Sequence, residues 1–392
     1  MLLRKESESC LKSKPLMRSV FHILILLCFS LAVSAQDQAS ESARKQPFLQ
    51  LNYHSGSFWT RSDYLKDAFE DPYKAIELRF GFQSTGTKLW QQYNKYPKYG
   101  FGMHYSDLVK DPADTLVGNP FSLFIFYSAP VARWGRFTLA TDISVGLSYM
   151  SRIHDPVTNP FNDVVASHTN LYFDLNLNMG FRLAKRIDLY AGYGLTHYSN
   201  GRIHQPQKGI NNWGWTAGMS YLLAEPVAEF IYQEPPEFIS SESIEFMYAV
   251  GVVEEILQES NTKVSYFTSS FTADYVYQFN RKMAVTVGMD VLYDASLGIA
   301  IKGIPPDQVS AWQKTYLASH MGFHYIINRF GLLFNLGTYF RQSSPDRGFA
   351  FARVGGRLQI TDHLSGHLCI KTKQGIRSDW IEWGMAYSLK VR

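Results

Sequence analysis

His197 and Ser199 stand two residues apart at the end of a run of strict alternation. Ile187, Leu189, Ala191, Tyr193 and Leu195 occupy one face of that run, and Asp188, Tyr190, Gly192, Gly194 and Thr196 the other. A period of two marks a strand with two unlike faces. His197 and Ser199 continue the apolar series, so they project from one face, roughly 6–7 Å apart along the strand. From there an imidazole can bend over and accept the serine proton, and a hydroxyl needs such a base to become a nucleophile. The chemistry on offer is covalent catalysis by a His–Ser pair. The bland alternative is an ordinary histidine and serine at a strand end, since H-x-S is common by chance. What surrounds that face decides between them.

The elements that must hold the pair are strands of the same kind. Phe137, Leu139, Ile143, Val145, Leu147 and Tyr149 oppose Asp142, Ser144, Gly146 and Ser148. Leu171, Phe173, Leu175, Leu177, Met179 and Phe181 oppose Tyr172, Asp174, Asn176, Asn178 and Gly180. Trp213, Trp215, Ala217, Met219 and Tyr221 repeat the pattern after the polar turn, and Met283 to Tyr293 repeat it again. Such strands suit a soluble sandwich, where the apolar face is core. They also suit a transmembrane barrel, where that face meets lipid. The strands run to roughly 11–15 residues against a soluble mode of about 5–6. Aromatics reach 15% of the chain and charged residues only 18%, which matches aromatic girdles around a barrel. The fold expected is therefore all-β, an antiparallel transmembrane β-barrel of the outer-membrane type. It has roughly 12–16 strands, or eight strands of one barrel followed by further C-terminal strands.

The N-terminus agrees. Basic residues up to Arg18 precede an apolar run from Val20 to Val33, and Val33-Ser34-Ala35 offers a cleavage site. Residues 1–35 are expected to be an export signal. Of Cys10, Cys28 and Cys369, only Cys369 would remain, too few for an internal disulfide. The net charge of +4 includes bases of the signal region, and no basic block points to nucleic acid. Residues 36–223 form the first barrel region, and 224–242, rich in Pro and Glu, form a connection. Residues 243–392 supply additional strands, expected in the same barrel. The dense aromatics from Leu89 to Tyr105 read as a membrane-interface belt. Outer-membrane barrels keep short turns inside and long loops outside. The tight Arg182–Arg186 connection thus places the end of the His197–Ser199 strand at the external rim, with both residues on the lipid-facing series.

His197-x-Ser199-Asn200-Gly201, followed by Gly209-Ile210-Asn211, resembles the signature of the PagL-type lipid A 3-O-deacylases, acyloxyacyl-hydrolase-like outer-membrane barrels. Gly86-Thr87-Lys88-Leu89-Trp90, Tyr96-Pro97-Lys98-Tyr99-Gly100 and Asn159-Pro160-Phe161-Asn162 also look like segments of longer family members. The resemblance covers Phe48 to Leu223. It implies an outer-membrane serine esterase that removes an ester-linked acyl chain from lipid A at the outer leaflet, without a cofactor or metal. Lipid A (lipopolysaccharide) and outer-membrane lipids are the implied partners. By residue match His197 is the base, Ser199 the nucleophile and Asn200 an oxyanion donor; an oxyanion needs fixed donors, and backbone N–H groups near Gly201 are the others available there. The family's acid, a glutamate fourteen residues after the histidine, falls at Asn211. An asparagine can orient the imidazole but cannot stabilise an imidazolium by charge. Asp155 and Asp163 are the other carboxylates considered for that role. The competing reading is a non-catalytic barrel, a channel or structural protein, that keeps a deacylase scaffold. A secreted soluble sandwich is disfavoured by strand length.

Overall fold

Residues that alternate in type alternate in environment. The computed structural model describes residues 46–391 except 60–61, 63–64, 66–68, 110–115, 258–261, 298–307, 344–346 and 375–376. The export signal expected over 1–35 lies outside the described residues. Leu175 is 42% exposed and its neighbour Asn176 only 4%. Along the same walls Ile125, Leu147, Trp215 and Met219 face outward while Ser122, Ser144, Asn178 and Thr216 are buried. An outward apolar wall around a polar interior is the inverse of a soluble core and the pattern of a membrane barrel. Backbone groups within lipid must all be paired, and a closed sheet achieves that.

β1 (Gln46–Trp59), β2 (Phe69–Gln83), β3 (Lys98–Val109), β4 (Phe121–Trp134), β5 (Phe137–Tyr149), β6 (Thr169–Ala184), β7 (Ile187–Ser199) and β8 (Ile210–Leu222) form one closed eight-stranded antiparallel barrel. β9 (Ser241–Leu257), β10 (Thr262–Asn280), β11 (Met283–Asp294), β12 (Thr315–Ile327), β13 (Phe330–Arg341), β14 (Ala350–Gln359), β15 (Leu364–Lys373) and β16 (Arg377–Lys390) form a second. The C-terminal strands therefore do not enlarge the first barrel, contrary to the expectation that 243–392 join it; of the two arrangements expected, an eight-stranded barrel followed by further strands is the one found. β8 returns to β1 over the full register from Phe48↔Leu222 to Trp59↔Asn211, which leaves no free edge. The connection that follows carries Pro226, Pro235 and Pro236, which cannot donate to a ladder.

That connection runs under the short-turn end of the first barrel. The Ile231 N–H donates to the Thr85 carbonyl at 2.8 Å, and Phe230 stacks on Tyr96 with centroids 4.4 Å apart. Val227 to Phe230 help close a cavity of about 330 Å³ lined by Arg79, Lys98, Arg133 and Arg182. The aromatic stretch expected as a belt divides here. α1 (Leu89–Tyr93) lies between β2 and β3, and only the later aromatics belong to a strand.

Both interiors are crossed by buried ion pairs. Arg79 Nε meets Glu77 at 2.6 Å and its Nη1 meets Asp142 at 2.8 Å. In the second barrel Arg353 meets Glu382 at 2.7 Å and Asp290 at 2.8 Å. His320 bridges Asp290 and Asp274 at 2.6 and 3.1 Å. Charges removed from water persist when paired, and each of these has an opposite charge within reach.

Candidate active site

The site is built where β7 and β8 meet at the long-loop rim. His197 and Asn211 are directly opposed partners in the antiparallel register, both on the outward series. Their side chains touch: His197 Nδ1 lies 2.7 Å from Asn211 Oδ1. The amide's other end fixes its orientation, because Asn211 Nδ2 donates to the Trp59 carbonyl at 3.4 Å. With an oxygen as its partner, Nδ1 carries the proton and Nε2 keeps its lone pair. That is the tautomer a general base needs.

Ser199 closes β7 and is buried beneath the loop that follows it. Its Oγ donates to Gln207 Oε1 at 3.2 Å and accepts the Gly201 N–H at 3.2 Å. His197 and Ser199, both fully described, share no hydrogen bond in this arrangement. Gly209 lies beside both. A Cβ there would lie 3.2 Å from His197 Cε1 and 3.8 Å from Ser199 Cβ. The backbone at Gly209 is left-handed, φ +69°, which favours glycine on its own account.

Asn200 turns away from the serine. Its Nδ2 donates to Ser167 Oγ at 3.1 Å and to the His204 carbonyl at 3.2 Å, and its Oδ1 accepts the Arg202 N–H at 3.0 Å. These bonds shape the turn. The donor aimed at Ser199 is the N–H of Gly201, which sits at φ +65°. The two loop carboxylates serve other partners. Asp155 accepts the N–H groups of Thr158 and Val157, which hold its carboxyl below the usual range. Asp163 pairs with Lys208. Among the described residues no group of three or more His, Cys, Asp or Glu is placed to hold a metal ion.

The types of Gln207 and Gly209 announce no role in the sequence, although Gly209 opens the Gly209-Ile210-Asn211 segment. Gln207 carries no type-specific signal, because any loop residue folding back over a strand end could reach that serine.

The family model described as lipid A 3-O-deacylase (PagL) matches residues 74–220, and that described as acyloxyacyl hydrolase, C-terminal domain, matches residues 242–391. The chain belongs to the lipid A 3-O-deacylase/acyloxyacyl hydrolase family. The first match spans β2 to β8 and includes the site; the second takes in β9 to β16 and assigns the C-terminal strands to this family as well. Family membership makes this chain a hydrolase of the lipid A deacylase kind and points to the outer membrane. No curated protein matches the chain. Among solved structures it is similar to Neisserial surface protein A (NspA), at 10% identity and TM-score 0.32, covering 45% of this chain and 96% of that one. It is also similar to the Pseudomonas putida toluene transporter TodX, at 9% identity and TM-score 0.19, covering 88% and 89%.

Proposed function

We propose that this deacylase-family chain is a serine esterase that removes an ester-linked acyl chain from lipid A at the outer leaflet, with His197, Ser199 and Asn211 as its catalytic set. The observation that carries the reading is the 2.7 Å contact between His197 Nδ1 and Asn211, made on the outward wall two residues from a serine. Polar side chains on a lipid-facing series are costly, and function is the usual reason they persist.

In the proposed reaction, Ser199 turns its hydroxyl from Gln207 to His197 Nε2. Oγ attacks the ester carbonyl as its proton passes to the imidazole. The Gly201 N–H supports the oxyanion, with Asn200 holding the turn that presents it. Collapse breaks the ester C–O bond, and the imidazolium returns its proton to the leaving sugar hydroxyl. Water, deprotonated by the same histidine, then releases the fatty acid from Ser199. Below the pair the outward wall continues as Leu195 opposite Trp213 and Tyr193 opposite Trp215, whose rings meet edge to face at 4.9 Å. An acyl chain in the outer leaflet would lie along these apolar side chains.

One observation favours the non-catalytic alternative: the Ser199 hydroxyl is engaged by Gln207. Mass spectrometry of lipid A from cells with and without the protein separates the two. Ser199→Ala and His197→Ala are each expected to lower acyl release by about 10³-fold or more while the barrels stay folded and heat-modifiable on gels. Normal fatty-acid release by Ser199→Ala would overturn the mechanism.

A further inference from the structure

The second barrel has an incomplete seam, and the active-site loop of the first barrel fills it. The β9–β16 ladder runs from Lys390↔Ser243 to Trp383↔Val250 and stops there. β9 continues to Leu257 against β10, and the start of β16 continues against β15. Above the last rung, 251–257 and 377–382 thus face each other without a ladder. Gly201 to Gln205 enter at this level. The Glu254 N–H donates to the Arg202 carbonyl at 3.2 Å, in place of a missing strand partner. Glu254 Oε1 accepts the Gln205 N–H at 2.9 Å, and Lys263 Nζ donates to the Gln205 carbonyl at 2.8 Å.

Side chains reinforce the entry. Arg202, 6% exposed, reaches Asp379 at 3.3 Å and also pairs with Glu255. Asp379 is available because β16 bulges: Thr372 pairs with Ser378 and Lys371 with Trp380, which leaves Asp379 as the extra residue. It turns toward Lys371, 2.7 Å away, and also pairs with Arg347. Ile381 continues the outward series of β16 yet is only 3% exposed, because Gly201 covers it. A Cβ on Gly201 would come within 2.4 Å of Ile381 Cγ1. Gly201 and Arg202 are consecutive left-handed residues, at φ +65° and +72°. For arginine that conformation is unfavourable and persists only where surroundings impose it. The same five-residue stretch carries the Gly201 N–H that points at Ser199.

We propose that the second barrel is a positioning element for the active site, with Arg202 as the positioning residue that locks the Asn200–Gln207 loop into the β9–β16 seam. The inference rests on the esterase reading of Ser199. Misplacing a reacting group by about 1 Å can cost about 10²-fold in rate, so loss of the lock shows in kcat rather than in KM.

The test uses full-length protein in phosphatidylcholine vesicles carrying lipopolysaccharide, with fatty-acid release and hydrogen exchange of 200–208 measured together. Arg202→Ala leaves Asp379 its pairs with Arg347 and Lys371, and the Glu255 carboxylate it releases is partly exposed to solvent. Expected for Arg202→Ala are faster exchange across the loop and a kcat lower by about 10- to 100-fold at unchanged KM, with partial recovery in Arg202→Lys. If Arg202→Ala does not fold, Glu254→Ala removes the acceptor of the Gln205 N–H from outside the barrel and is expected to act in the same direction. Unchanged loop exchange would overturn the lock. Faster exchange with unchanged kcat would overturn the positioning role. A wild type that releases no fatty acid would defeat the esterase reading instead, and the exchange result alone would then decide whether the seam holds the loop.

Discussion

The two barrels agree inside and differ outside. Each closes with eight strands, and each holds in its interior a buried arginine between two carboxylates, Arg79 with Glu77 and Asp142 in the first, Arg353 with Glu382 and Asp290 in the second, where Arg347 repeats the arrangement with Asp294 and Asp379. The outer walls then part. At the closing strands of the first barrel the outward series ends in His197, Ser199 and Asn211. The last strand of the second barrel presents Trp383, Met385, Tyr387 and Leu389 outward, all exposed. The interior ion pairs are thus what a small closed barrel needs to fill its polar lumen. Chemistry is added where the outward wall departs from the apolar rule.

This comparison breaks most forcefully at the arginines. Removing one partner of a buried pair leaves the others uncompensated, at a cost of about 3–5 kcal/mol. Arg353→Ala should lower stability by that amount, read as loss of the heat-modifiable band at lower temperature. Arg79→Ala should cost a similar amount. An innocuous Arg353→Ala beside a damaging Arg79→Ala would show that the interiors are not equivalent.

A smaller effect is expected at Gly209. A Cβ there meets the Tyr198 carbonyl at 3.1 Å and the imidazole at 3.2 Å, and alanine must also hold a left-handed backbone, so the crowding displaces His197 while the backbone cost strains the loop beside Ser199. We expect Gly209→Ala to lower fatty-acid release by about tenfold with the barrel intact. Gly135, also left-handed but with open space around it at the opposite rim, provides the control: Gly135→Ala should leave the rate unchanged.

Much of this was legible in the residues. Period-two alternation revealed strand faces, and Leu175 and Asn176 divide as that pattern requires. The pairing of His197 with Asn211 follows from the β7–β8 register, but only the family motif called attention to position 211. Alternation does not say which strand closes a sheet, so two barrels could not be told from one larger barrel. Nor does it report a seam: nothing in Gly201-Arg202 announces that Asp379, 177 residues later, will receive the guanidinium. Such contacts between distant segments depend on how two finished barrels meet. The helix at Leu89–Tyr93 was hidden for another reason, since five residues are too few for a helical period to stand out among aromatics.

The smallest expected effect, and the sharpest question about the outer wall, lies at Asn211. Its oxygen already holds His197 in the tautomer a base requires, so the orienting half of an acid's role is present. What is missing is charge to stabilise the imidazolium during attack. Asn211→Asp supplies that charge at nearly the same atomic position, and Asn211→Glu supplies it one methylene further out. Either carboxylate gives up the bond to the Trp59 carbonyl, 3.4 Å away, and sets two oxygens against each other there. The gain should therefore be modest, about three- to tenfold in kcat. A carboxylate beside the imidazole also raises its pKa. Because the base works only when neutral, the acidic limb of the pH–rate profile should move to higher pH in both variants. Asn211→Ala should lower the rate, since the imidazole would lose its only side-chain anchor among the described contacts. Unchanged rate and pH profile in all three variants would separate Asn211 from the chemistry. The outward departure at this rim would then reduce to His197 and Ser199 alone.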